Sequence, residues 1–124
     1  MSPLDVLVLT ADALGSALLG AAVELSGHRP RFPLPRESAR AALLRLRPRV
    51  VLVECAHQEA GNDGFLGPAI MTGARPILVY TGGHKDPTGL AAARALAARL
   101  EVPLCILPEE SDQLGRLLDA EAHA

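Results

Sequence analysis

The chain has 124 residues, of which 49 % are hydrophobic and only 2 % aromatic, so it is long enough for one core and that core must be aliphatic. Formal net charge is −2. No apolar run approaches the roughly 20 residues needed to cross a bilayer, and the first residues lack a basic segment followed by an apolar signal core, so a cytoplasmic protein without membrane contact is expected.

Strand and helix signals alternate from end to end. Asp5 to Leu9, an aspartate followed by the apolar run Val-Leu-Val-Leu, is of the kind that forms a strand buried on both faces. Leu14, Leu18, Ala22 and Leu25 then recur at helical spacing, with Asp12 placed as N-cap and Gly27 as terminator. Arg29 to Phe32 reads as a short edge strand closed by Pro33 and Pro35. A second helix is expected from Pro35 or Arg36, with Ala39, Ala42, Leu43 and Leu46 inward and arginines outward, until Pro48 stops it. Val50 to Glu54 is the central strand, and its final carboxylate falls at the sheet's carboxyl edge, where open α/β sheets bind ligands.

A polar loop from Cys55 to Gly64 leads to a short helix carrying Phe65, Leu66, Ala69 and Ile70, ended by Gly73. Ile77 to Tyr80 is the fourth strand, followed by the Thr81-Gly82-Gly83 loop. Asp86 and Pro87 supply an N-cap and first-turn proline for a helix burying Leu90, Ala93, Ala97 and Leu100. Val102 to Leu107 is the fifth strand. The last helix runs from about Glu110 and buries Leu114, Leu117 and Leu118. Cys55 and Cys105 sit in or beside strands as reduced, small apolar residues. Five βα units joined by short connections demand a parallel sheet covered on both faces, with the weakest strand at an edge. The expectation is an α/β, flavodoxin-like, doubly wound sheet in the order 2-1-3-4-5, as a single domain over 1–124.

Charge is segregated along this frame. Arg29, Arg31, Arg36, Arg40, Arg45, Arg47 and Arg49 face only Glu37, whereas Glu101, Glu109, Glu110, Asp112, Asp119 and Glu121 outnumber Arg116. No stacking aromatics accompany the arginines, so a solvated helix face is favoured over a nucleic-acid partner. Lys85 is the one lysine, and the Ala, Arg, Leu and Pro richness looks like the coding bias of a GC-rich bacterial genome.

Pro48 to Glu54, Asp63-Gly64-Phe65, Pro76 to Thr81 and Pro108, in this order and at these separations, resemble a response-regulator receiver domain over nearly the whole chain. The resemblance implies acidic residues after the first strand that hold a divalent metal, a phosphoacceptor aspartate ending the third strand, and a hydroxyl and a lysine that meet the phosphoryl group. Here the acidic pair falls on Thr10 and Ala11, with Asp12 one position late and read as a helix cap. The acceptor falls on Glu54, the hydroxyl on Thr81, the lysine on Leu107 and the aromatic switch residue on Leu104. A cis peptide at Leu107-Pro108 is also implied. A phosphoryl group needs a metal or cation to meet its charge, and a magnesium-class ion needs hard oxygen ligands. The pattern therefore reads as a degenerate pseudo-receiver with no metal, no cofactor and no catalytic residue.

Several local readings compete with this one. Glu54 is either a partly exposed carboxylate bonded to loop amides or a fixed imitation of a phosphorylated aspartate. Cys55, His57 and His84 share the carboxyl edge as soft metal ligands, but no second Cys/His pair joins them. Thr81-Gly82-Gly83-His84 has the makings of an anion cradle without the spacing of a nucleotide fingerprint. Ser16, Ser26, Ser38 and Ser111 lack an adjacent base, so no enzyme is expected.

The functional expectation is a phosphorylation-independent signalling module acting through a protein partner or as a homodimer. The resemblance places the contact on Arg94, Arg99, Leu104, Glu110, Asp112 and Arg116. The alternative is a small-molecule or anion sensor using the pocket near Glu54 and Thr81, and a receiver that still takes phosphate is third.

Overall fold

The computed structural model describes residues 2–123, apart from the Asp63 side chain; Met1 and Ala124, the ends of the expected domain, lie outside the described residues. The strands are β1 (Asp5–Leu9), β2 (Arg29–Arg31), β3 (Val50–Glu54), β4 (Arg75–Tyr80) and β5 (Leu104–Ile106). The helices are α1 (Ala13–Leu25), α2 (Ala39–Leu46), α3 (Asp63–Met71), α4 (Pro87–Leu100) and α5 (Ser111–Ala122). All strand pairs are parallel, in the order β2-β1-β3-β4-β5. This is the expected doubly wound fold.

Alternation along the strands divides the core in two. Val6, Val8, Leu52 and Val79 point to one side and pack with Leu19 and Val23 of α1 and Leu114 and Leu118 of α5. Leu7, Leu9, Val51, Val53 and Leu78 point to the other, against Leu43 of α2, Phe65 and Leu66 of α3, and Ala97 of α4. Every residue of β3 is buried, as a central strand requires. Glu54 consequently ends the strand with its side chain committed to the interior of the carboxyl edge.

Four boundaries differ from the sequence reading. The second helix starts at Ala39, capped by Ser38, because Arg36 takes a left-handed conformation (φ 65°) that breaks an earlier start. β2 ends at Arg31, one residue before Phe32, while the third helix opens at Asp63, as the Asp63-Gly64-Phe65 match implies, behind Asn62, whose side chain accepts from the Gly64 N–H at 3.0 Å. The fourth strand begins at Arg75 and the fifth is only Leu104–Ile106.

The larger correction is the face of α1. Gly15, Leu19, Gly20 and Val23 are buried, whereas Leu14, Leu18 and Leu25 are exposed. A Cβ on Gly15 would lie 2.9 Å from Glu54 Oε2, and one on Gly20 would lie 3.0 Å from the Phe32 ring. The helix therefore approaches the sheet edge on glycines, and of the row that periodicity picks out Ala22 packs against the core while Leu14, Leu18 and Leu25 turn to solvent.

Candidate functional site

The carboxyl edge assembles the ends of β1, β3, β4 and β5 around Glu54. Its carboxylate is only 6 % exposed, which corrects the expectation of a partly exposed group. Oε1 accepts the Ala11 N–H at 2.8 Å, and Oε2 accepts the Thr81 hydroxyl at 3.2 Å. One side chain thus bridges the β1–α1 turn and the loop after β4. The close approach of Gly15 seals it from the α1 side.

The other positions of the implied pocket are brought near this point but hold other roles. Thr10 Oγ1 donates to the Asp12 carbonyl at 3.1 Å and meets Ser16 Oγ at 2.6 Å. Ala11 contributes its backbone N–H and has no side-chain ligand. Asp12 caps α1, its carboxylate accepting the Gly15 N–H at 2.8 Å, which is the role read from the sequence. Leu107 is a buried member of the α1–α5 core whose N–H donates to the Tyr80 carbonyl at 2.8 Å, and the peptide that follows it is cis.

These donors do not fit a magnesium-class ion. Such a site needs several hard oxygen ligands converging on one point. Among the described residues no three His, Cys, Asp or Glu side chains cluster in that way. Glu54 already spends an oxygen on each of two donors, and Asp12 is fixed to the helix start.

Neighbouring groups are equally committed. His57 accepts the Glu59 N–H on Nδ1 at 3.0 Å, its own N–H donates to the Glu54 carbonyl, and burial lowers its basicity. Burial, then the Glu54 charge, pushes the Cys55 thiol up to about 11, so it rests protonated and weakly nucleophilic. Burial raises Cys105 to about 11 as well. Both cysteines are free. A Cβ on Gly83 would lie 2.8 Å from Glu109 Oε1, so the Thr81-Gly82-Gly83-His84 loop is flanked by the carboxylates of Glu54 and Glu109, which disfavours an anion there.

On the expected contact face, Arg94, Arg99, Asp112 and Arg116 are exposed. Glu110 is not free, because its Oε1 accepts the Ile106 N–H at 2.8 Å. Leu104, at the switch position, is half-buried against the α2–α4 side of the core.

Sequence reasoning did not foresee the Ala11 amide as a partner of Glu54, because a backbone donor leaves no trace in residue type. It also passed over His28, which is buried at 3 % exposure. His28 Nδ1 accepts the Leu4 N–H at 3.0 Å and Nε2 meets Asp119 Oδ1 at 2.9 Å, tying the start of β1 to α5.

Neither a protein-family profile nor a curated protein sequence matches the chain. Solved structures do. NtrX from Brucella abortus, in complex with ADP, superposes with a TM-score of 0.71 at 18 % identity, over 98 % of this chain and 26 % of NtrX. The signal receiver domain of a modulated diguanylate cyclase from Desulfovibrio desulfuricans G20 superposes with a TM-score of 0.70 at 20 % identity, over 98 % of this chain and 95 % of that one. The chain spans about a quarter of NtrX, at 26 % of its length, and nearly the whole of the second protein. The fold is that of a signal receiver domain.

Proposed function

We propose that this chain is a pseudo-receiver, a signalling module of the receiver fold that acts by contact with protein and not by phosphoryl transfer. The observation that carries the proposal is the state of Glu54, whose two carboxylate oxygens are already held by Ala11 and Thr81. The side chain at the acceptor position is thus tied into two loops of its own fold. Transfer would require a metal or cation to meet the arriving charge, and Thr10, Ala11 and Leu107 stand where those groups would be.

A metabolite-sensing reading has less support. A cavity of about 300 Å³ does lie beside Glu54, Cys55, Tyr80 and Thr81. Its polar members Glu54 and Thr81 are bonded to each other, and Tyr80 Oη donates to Asp86 at 3.3 Å. Little polar capacity is left to orient a ligand.

The test is incubation with a small phosphodonor and magnesium, followed by intact-mass measurement. No added phosphoryl group is expected. An adduct that disappears in Glu54→Gln would overturn the proposal.

A further inference from the structure

Among the described residues, apart from Phe32 and Leu34 beyond β2, the large exposed hydrophobic side chains fall into two groups on opposite sides of the sheet. On α1 they are Leu14, Leu18 and Leu25, the last 90 % exposed; on α2 and α3 they are Leu44, Ile70 and Met71, the last 87 % exposed. None lies on the surface of α4, β5 and α5. Each group borders a hollow. Leu18 and Leu25 line a groove of about 560 Å³ between α1 and the start of α5, and Leu44, Ile70 and Met71 line one of about 650 Å³ between α2 and α3. Apolar side chains gathered beside a hollow are what a contact site requires.

The charges at the two hollows differ in sign. Among the described residues, the charged side chain lining the α1 groove is Asp112, Glu24 lines a second hollow of about 400 Å³ along α1 that Leu25 also borders, and the one lining the α2–α3 hollow is Arg40. A two-fold pairing of α1 with α1 would set acid against acid, and a two-fold pairing of the other face would set Arg40 near its own copy. Only the crossed arrangement places opposite signs together.

We propose that the two faces recognise each other between copies of this chain, α1 of one molecule seating in the α2–α3 hollow of the next. The contact is head-to-tail, and because the faces lie on opposite sides of the sheet a pair leaves one of each unused, so it adds further copies into a ring or an open chain. It goes beyond the reading of Glu54: Thr81 and Leu107 also line the α1 groove, but the contact is carried by Leu18, Leu25 and Met71 and takes nothing from the Glu54 carboxylate, so assembly proceeds without a phosphodonor.

Sedimentation velocity on the full chain, from low micromolar to millimolar concentration, tests this. The wild type is expected to form species larger than a dimer as concentration rises. Leu18→Glu disables the α1 face and Met71→Glu the hollow; each alone should be monomeric. Mixed, they retain one working face of each kind and should form a one-to-one heterodimer and nothing larger. Melting curves matching the wild type establish that the variants fold, and Leu25→Glu and Ile70→Glu replace either one that does not. A wild type monomeric throughout, a single variant that still self-associates, or a folded mixture that stays monomeric would each overturn the proposal.

Discussion

Replacing Glu54 separates the charge of its side chain from its hydrogen bonds. The Ala11 N–H at 2.8 Å is a bond to a charged acceptor, worth about 1.5–3 kcal/mol, and the Thr81 hydroxyl at 3.2 Å adds about 1 kcal/mol. Against this stands the desolvation of a carboxylate only 6 % exposed, which costs several kcal/mol in proteins when no cation compensates it. Gln keeps an acceptor for Ala11, offers an N–H to the Thr81 oxygen and removes the charge penalty. Glu54→Gln should therefore hold stability within about 1 kcal/mol of the wild type. Ala keeps neither bond and opens a cavity, so Glu54→Ala should lose about 2 kcal/mol, partly relieved because the exposed Ala11 turn can rehydrate. At this chain length that loss is about 8 °C in Tm. Thermal and urea melts followed by circular dichroism measure both variants. Gln as damaging as Ala would mean that the negative charge itself holds the loops, which restores Glu54 as a fixed phosphate imitation. Ala without effect would mean that the bridge contributes nothing.

His28→Ala should destabilise by about 2–3 kcal/mol, because it leaves the buried Leu4 N–H without an acceptor and removes a packed ring; a urea melt within about 0.5 kcal/mol of the wild type would contradict this. Glu37 is held down to about 2, from an ordinary 4.5, by its hydrogen bonds from Arg45 and from the Leu34 N–H. The folded value is the lower one, so the pair supports the fold above pH 4.5 and that support is lost as pH falls towards 2. NMR titration of the Glu37 carboxyl should show this, and Arg45→Ala should return it towards its ordinary value; an unchanged midpoint would refute the assignment.

The parts of the fold that were legible in the sequence are those where residue type and backbone agree. Val50–Val53 is an unbroken apolar run, and with Glu54 it forms a fully buried strand; Asp12, Asp86 and Gly27 stand at the helix ends their chemistry favours. The face of α1 was misread because glycine carries no hydropathy signal. Gly15 and Gly20 belong to the buried stripe for their lack of bulk, so counting leucines selects the wrong side. At the site, substitution of Thr10, Ala11 and Leu107 was visible by position, and so was the loss of charge it entails. The tie of Glu54 into two loops was not, since it depends on a backbone amide of one loop and a hydroxyl of another, 43 and 27 residues away in sequence. A contact face on α4, β5 and α5 was what the resemblance implied, and the large exposed apolar side chains lie on α1, α2 and α3 and beyond β2.

The most direct measurement of the central claim is the amide NMR spectrum of the chain as magnesium, and then a small phosphodonor, is added. If Glu54 stays tied into two loops of its own fold, the Ala11 and Thr81 amides keep their positions through both additions. Saturable shifts centred on Ala11, Glu54 and Thr81, whether on magnesium or on the donor, would show a pocket still open to metal and phosphoryl, and would contradict the account.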